Sequence, residues 1–527
     1  MAGLLGRLKK IKVDSALVLL LLLFLPLFAF LLYTHMVRAE PDGLYSGGST
    51  WADLALHLAY LTSFSQRGLI TILDNPIYSG HKMSYPFLPD FISGVLYRFL
   101  PLNISLILPT LFALVVTLVL FYKLALAITG KRFSGVLAPI LFFFNGSILG
   151  VYYFFKDARL AGGALKYVAS MDKEYAHLGD VNLRFSNVIC DYILPQRTFV
   201  FGLALGIAAI YCLWCYWQNG DKRHLTHALF WCASTPLFHT HTFVTLCFVT
   251  FGVFLLDIKN FRVWIKPALI FLVLVAPQAV LLYQPSLNSF LQISPGWMVD
   301  KENVFVFWIR NLGVFLPFAI AAVCYATRKQ RLFFLPFLLI FVLANVIQFQ
   351  PHIYDNMKLM LWPFLLACIF LSRMLLRFTR VASVVCVCLL TVTGVLSVYR
   401  EATLNWRMFN TEDVALAKFV IHGTPPDALF LTSDRHNNPI NCLAGRKIYL
   451  GYRGWLWTHG IDYSLREQVY ARIYRGGSDA LSSVRKENID YILLEKSKYK
   501  ELNVLESFFT TNFTVVYVSP EFLLLRT

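Results

Sequence analysis

Charge is scarce in this chain. Only 15% of its 527 residues are Asp, Glu, Lys or Arg, against 57% hydrophobic. A soluble globular protein and a disordered one are both excluded, since each needs far more polar surface. Acidic residues are the scarcer sign, 30 against 47 Lys and Arg. Cysteine carries no metal or redox signal. Most of the 10 cysteines fall in apolar runs, including the one CxxC, Cys212–Cys215, and only Cys190 and Cys442 lie outside them. No GxGxxG supports a dinucleotide site. No clear internal repeat appears, as it would in a transporter built from two related halves.

What the chain has in quantity is long apolar runs, at 15–35, 104–128, 133–152, 197–217, 226–240, 243–257, 264–283, 304–326, 331–348, 357–375 and 381–399. A helix of about 20 apolar residues crosses a hydrocarbon core of about 30 Å. The fold class is therefore a polytopic α-helical membrane protein of about 11 transmembrane helices. Run 226–240 is short and holds Ser234, Thr235 and Pro236, which suits a broken or half helix. The first run follows the basic stretch GRLKKIK and is longer than the h-region of a signal peptide, so it reads as a retained helix.

Lys and Arg collect in alternate short connections: Lys131 and Arg132; Lys222 and Arg223; Lys259, Arg262 and Lys266; Arg328, Lys329 and Arg331; Arg373, Arg377 and Arg380. The positive-inside rule puts these loops and the N-terminus in the cytoplasm. Much of the +17 net charge has this origin, which argues against a nucleic-acid partner. Three long segments then face outward: 36–103, 153–196 and 400–527. The membrane is that of a bacterial cell or of the endoplasmic reticulum, and membrane lipids are the surrounding partners. Sequons begin at Asn103, Asn145 and Asn512, near or in the outer segments.

Two domains are expected: 1–399, with outer loops 36–103 and 153–196, and a soluble α/β extracytoplasmic domain over 400–527. In the tail, strands are predicted at 428–432, 447–451, 490–495, 513–519 and 522–527, alternating with helices over 411–422, 463–475 and 478–487.

The residues able to carry chemistry gather on the outer side. In STWADLALHLAYLTSF, Asp53 and His57 are four apart and share one face of a helix. Asp53 is either the solvated edge of an interfacial helix or a general base toward an acceptor hydroxyl. The segment NPIYSGHKMSYPFLPDF adds His81, Tyr85 and Asp90, a polar ligand site or a cap on the bundle. Arg310 enters a run near its outer end, where it binds phosphate or snorkels to headgroups. Asp355, Asn356 and Lys358 crowd the start of another run. Asp355 or Asn356 would cap that helix, and Lys358 needs an anion there, either a phosphate or Asp355 itself. Arg197 opens a run the same way. His239 and His241 make a weak metal pair without a third ligand. In the tail, Arg453, Trp455, Trp457 and His459 offer sugar-stacking faces or an anchor on the bundle.

Taken together, STWADLALHLAYLTSF, SYPFLPDF, FQPHIYDNMKLMLW and GRKIYLGYRGWLWTHG resemble a group of large membrane proteins related to the GT-C superfamily of membrane glycosyltransferases. The resemblance runs over most of the chain. It implies a polyprenyl-phosphate-linked sugar as donor and a glycan, lipid or protein hydroxyl as acceptor, with transfer at the extracytoplasmic face. The superfamily's catalytic acid lies in the first outer loop, which corresponds here to Asp53. Many members have paired acids there, and this chain has one. His57 would orient Asp53 or touch the sugar. Arg310, Arg197 or Lys358 would hold the donor phosphate, with Asp355, Asn356, His81, Tyr85, Asp90, Arg453 and Trp455 lining the substrate site. No cofactor is assigned and a divalent cation is left open, with no metal ligands assigned. The competing reading is a lipid-linked-sugar transporter or flippase, or an accessory subunit of a glycan-assembly complex. The polar residues cluster at the outer face rather than at the midplane, which favours surface chemistry.

Overall fold

The computed structural model describes residues 14–283 and 291–527; the basic stretch GRLKKIK lies outside the described residues. Among the described residues, 6 helices are long and apolar enough to cross a membrane: Ser15–His35, Leu102–Thr129, Arg197–Asn219, Ile258–Leu282, Ile353–Leu375 and Arg380–Thr403. The pair Val304–Leu312 and Phe315–Tyr325 would make a seventh, bent by 91°. The protein is an integral membrane protein, and the expected count of 11 spans is not reached by length and composition.

The other apolar runs break for local reasons. Run 133–152 divides into Ser134–Phe143 and Leu149–Leu160 at Asn145-Gly146-Ser147. The backbone freed there is met by Asn187, whose side-chain amide donates to Phe143 O (3.1 Å) and Asn145 O (2.9 Å), as membrane burial demands. The Asn145 amide donates to Ser186 O (2.7 Å), its Oδ1 accepts from Val188 N (2.8 Å), and Ser147 Oγ donates to Arg310 O (2.5 Å). Asn145 is thus a buried joint, closed to a glycan. The 91° bend falls at Gly313, whose φ of +53° suits glycine and whose missing Cβ leaves room for Ser147 and Ile148. Run 226–240 yields only the 12-residue helix Lys222–Ala233. The helices Thr240–Leu256 and Arg328–Ala344 have 17 residues each.

The first outer segment and the tail are built together. Strands β1 (Arg38–Glu40) and β2 (Gly43–Ser46) form an antiparallel hairpin, and β2 pairs with a strand from beyond the last long helix. A short pair, β3 (Gln292–Ile293) and β4 (Ile347–Gln348), lies between them in sequence, and the partner of β2 is β5 (Trp406–Asn410). Gly43 is obligatory, since a Cβ there would lie 2.1 Å from Phe409 O. The tail continues with β6 (Leu429–Leu431), β7 (Lys447–Ile448), β8 (Tyr491–Glu495), β9 (Thr514–Val518) and β10 (Phe522–Arg526). They form one mixed sheet in the order β7-β6-β8-β10-β9, parallel around β6 and antiparallel around β10.

This sheet is joined to the first loop through polar and backbone contacts. Ile448 N donates to Pro76 O (2.9 Å), Thr62 Oγ1 to Asn441 O (2.9 Å), Lys447 pairs with Asp74 (2.9 Å) and Arg67 with Asp427 (3.0 Å). One hydrophobic cluster runs from the first helix through Leu54–Leu61 to the sheet strands. A buried pair, His35 Nε2 and Glu401 Oε1 at 2.9 Å, ties the outer end of the first helix to the end of the last. Ser49 N donates to the same carboxylate oxygen at 2.9 Å.

Candidate active site

The helix Asp53–Arg67 buries residues on every side, from Leu54 through Phe64. It is a core helix capped by the tail, not an interfacial helix with a wet face, because Ala55 and Thr62 sit against Cys442 and Asn441. Asp53 stands in its first turn, half-buried, where the helix dipole favours a carboxylate. Among the described residues its carboxylate has no hydrogen bond or ion pair. Burial pushes its pKa up; Lys358 and His57 draw it down, and Asp355 pushes it up again. Lys358 and Asp355, which act on Asp53 through their charge, stand at the start of the helix Ile353–Leu375.

Four residues on, His57 is buried and its Nδ1 lies 2.9 Å from Asp90 Oδ2. Asp90 Oδ1 accepts from Arg197 Nη1 at 2.8 Å. The Arg197 guanidinium also donates to Ser93 Oγ (2.6 Å), Thr110 Oγ1 (3.3 Å) and Leu106 O (3.5 Å). Arg197 and Asp90 are fully buried. Two expectations are corrected here. Arg197 is not free for a donor phosphate, because its N–H groups already have partners. Asp90 holds its neighbours rather than a substrate.

Tyr85 links three parts of the chain. Its ring lies 6.3 Å from His57 and 5.0 Å from His459 of the tail, and its hydroxyl is 3.4 Å from Thr198 Oγ1. Among the described residues His459 Nδ1 is buried without a hydrogen-bond partner, and burial pulls the His459 pKa down to about 4, so the ring is neutral. Lys358 is buried and pairs with Asp355 at 3.0 Å, so the cation at this helix start has its anion from one turn away. Asn356 is structural. Its amide donates to Ala344 O and Ile347 O (both 2.7 Å), and its Oδ1 accepts from Gln350 (2.8 Å). His239 caps its helix through Thr242, while the ring of His241, 5.3 Å away, meets Gln350 (3.2 Å).

The remaining expected residues lie apart. Arg310 pairs with Glu302 (2.7 Å) and Val181 O (2.7 Å), toward the second outer loop. His81 is exposed against Tyr78. Arg453 is held by Asp434 and by Glu467 (2.6 Å), and Trp455 is buried against Tyr452, an anchor within the tail rather than an open sugar platform.

Sequence reasoning missed one cluster. Donor atoms of Glu174, His177 and Asp191 all lie within 4.8 Å of one another in the second outer loop. His177 Nδ1 donates to Asp191 Oδ2 (3.0 Å), which also accepts from Tyr354 Oη (2.6 Å), and the His177 and Tyr354 rings stack at 5.2 Å. Glu174 Oε1 is buried and unpartnered. Burial, Asp191 and Glu401 all raise the Glu174 pKa. The only sequence signal was the Glu174-x-x-His177 spacing, and it lacked the third ligand that folding supplies.

No protein-family model matches this sequence, and no curated protein matches it in sequence. Solved structures do match the fold. The Archaeoglobus fulgidus oligosaccharyltransferase in its apo form aligns over 94% of this chain and 71% of its own, at 11% identity and TM-score 0.55. ArnT from Cupriavidus metallidurans, bound to undecaprenyl phosphate, aligns over 98% of both chains at 10% identity and TM-score 0.55. The archaeal enzyme with zinc and sulfate aligns over 95% of this chain and 72% of its own, at 12% identity and TM-score 0.50. The chain therefore shares the overall fold of the Archaeoglobus fulgidus oligosaccharyltransferase and of ArnT.

Proposed function

We propose that this protein moves a sugar from a polyprenyl-phosphate donor to an acceptor hydroxyl at the extracytoplasmic face of the membrane. The observation that carries the reading is Asp53: a half-buried carboxylate in the first turn of its helix with no hydrogen bond or ion pair among the described residues. Burial raises its pKa, and a carboxylate that holds a proton more tightly is a better general base toward a hydroxyl. In this scheme Asp53 takes the acceptor proton as the acceptor oxygen attacks the anomeric carbon. The bond from that carbon to the phosphate oxygen breaks, and polyprenyl phosphate leaves with inversion. Lys358 stabilises the charge on the leaving phosphate. The ArnT neighbour with undecaprenyl phosphate supports a donor of this class. The orientation follows from the loop charges, with 1–399 as the membrane unit and 400–527 as the acceptor-side domain.

Two carboxylates and an imidazole fit a divalent cation, and Glu174 Oε1 is buried without a hydrogen-bond partner among the described residues. Glu174, His177 and Asp191 would hold it, and the ion would supply positive charge near phosphate.

In nanodiscs given radiolabelled polyprenyl-phosphate sugars and an acceptor panel, the wild type releases sugar and Asp53→Asn loses at least about 100-fold in rate. An Asp53→Asn protein that transfers at the wild-type rate removes the assignment. Donor binding without release by either protein favours a carrier or accessory subunit.

A further inference from the structure

Two pockets adjoin at the ends of the helices that carry the basic connections Lys222–Arg223, Lys259–Lys266 and Arg328–Lys329. The first is an apolar cavity of about 390 Å³ walled by Cys232, Cys247, Phe254, Trp264 and Ala268. Ligand sites run to roughly 300–1,000 Å³. Phe251 and Ile265 also line it and are exposed, and Ile265 belongs to the helix Ile258–Leu282, which is almost unburied within the protein. The cavity therefore opens sideways, toward hydrocarbon. An apolar cavity does not hold water, and the apolar molecules at hand in a bilayer are lipid chains.

The second pocket, about 270 Å³, is lined by Trp217, Gln218, Asp257, Asn260 and Lys329. Trp264 joins the two: its ring walls the apolar cavity, and its Nε1 donates to Asp257 Oδ2 at 2.9 Å. Tyr216 Oη donates to the same oxygen (2.5 Å) and Asn260 Nδ2 to Asp257 Oδ1 (2.8 Å). These three donors are all neutral, and a carboxylate has about four acceptor positions, so one remains. Lys329 Nζ donates to the Gln218 carbonyl at 2.9 Å. Among the described residues neither Asp257 nor Lys329 has an ion pair. The polar pocket thus offers one uncompensated charge of each sign, beside an opening sized for a chain.

We infer that these two pockets form one binding site for an aminophospholipid, in the leaflet bordered by the basic connections. A chain of the lipid fills the apolar cavity. Its primary ammonium donates to Asp257, and its phosphate diester meets Lys329. The acid selects the headgroup: an anionic lipid meets like charge at Asp257, and a quaternary ammonium has no N–H to give it. Trp217 and Trp264 sit at the junction of the polar and apolar parts, where tryptophan is favoured at membrane interfaces. The site does not depend on the glycosyl-transfer reading.

The test is native mass spectrometry of the full chain in detergent, stripped of lipid and titrated with dioleoyl phosphatidylethanolamine, phosphatidylcholine or phosphatidylglycerol. Phosphatidylethanolamine is expected to bind at least about 10-fold tighter than the other two, the difference one charge-assisted hydrogen bond makes. Asp257→Asn is expected to erase its preference over phosphatidylglycerol. Lys329→Gln, at an exposed residue, is expected to weaken phosphatidylethanolamine and phosphatidylglycerol alike. Ala268→Phe, which fills the chain cavity, is expected to lower the binding of all three lipids. Equal binding of the three by the wild type overturns the headgroup assignment, and binding unchanged in Ala268→Phe overturns the cavity as the seat of the chain. A wild-type preference for phosphatidylglycerol means an anionic lipid and overturns the aminophospholipid. Should Asp257→Asn fail to fold, the wild-type ranking and Ala268→Phe still decide.

Discussion

Two helices of similar length and composition teach opposite lessons. Ile258–Leu282 and Ile353–Leu375 are both long and apolar enough to span a membrane, yet the apolar stretch of the first is 6% buried inside the protein and that of the second 89%. The first presents Leu269, Leu272, Val273 and Val280 outward, as a helix facing lipid does. The second is enclosed on all sides, and it is the one that starts with Asp355, Asn356 and Lys358. A polar group at membrane depth survives where protein surrounds and pairs it. The helix that looks least suited to lipid is therefore the centre, and its start carries the paired Asp355 and Lys358.

The comparison can be broken at several points. The largest effect is expected at Arg197, whose loss leaves Asp90 and its charge buried without the guanidinium. Arg197→Met should cost about 3–5 kcal/mol, read as a lowered unfolding midpoint in detergent or nanodiscs. Leu366→Ala, in the enclosed helix, should cost about 2–5 kcal/mol through the cavity it leaves. Leu272→Ala, on the lipid-facing helix, should stay within about 0.5 kcal/mol by the same measurement. Equal losses at the two leucines would mean the two helices do not differ as described.

The smallest effect concerns pH. Burial raises the folded-state pKa of Asp53 above its unfolded value of 3.8, so ionisation opposes folding at neutral pH and the cost vanishes as pH falls through the raised pKa. Asp53→Asn should therefore unfold at a slightly higher temperature than the wild type at pH 7.5, and the difference should close on acidification. A midpoint below wild type at pH 7.5 would show that the carboxylate supports the fold instead of straining it.

Part of the site was legible in the chain. The i, i+4 spacing of Asp53 and His57 is a helical fact, and a lysine at a helix start calls for an anion. Their partners were not legible. His57 is met by Asp90, 33 residues on, and Asp90 by Arg197, a further 107. Arg197 looked like a phosphate ligand because its run begins as an anion site would, and nothing local shows Ser93, Thr110 and Asp90 closing around it. The cation-binding candidates were hidden for the same reason. Glu174 and His177 are near in sequence, but Asp191 and the Tyr354 ring arrive from elsewhere.

The sequence by itself determined that the chain lives in a membrane, because hydropathy acts residue by residue. Only the tertiary structure decided which apolar runs are whole helices, which helix is central, and which charged groups stay free. Each of those depends on whether a polar atom finds a partner from a distant segment once water is excluded. Asp53 did not find one, and Arg197 did.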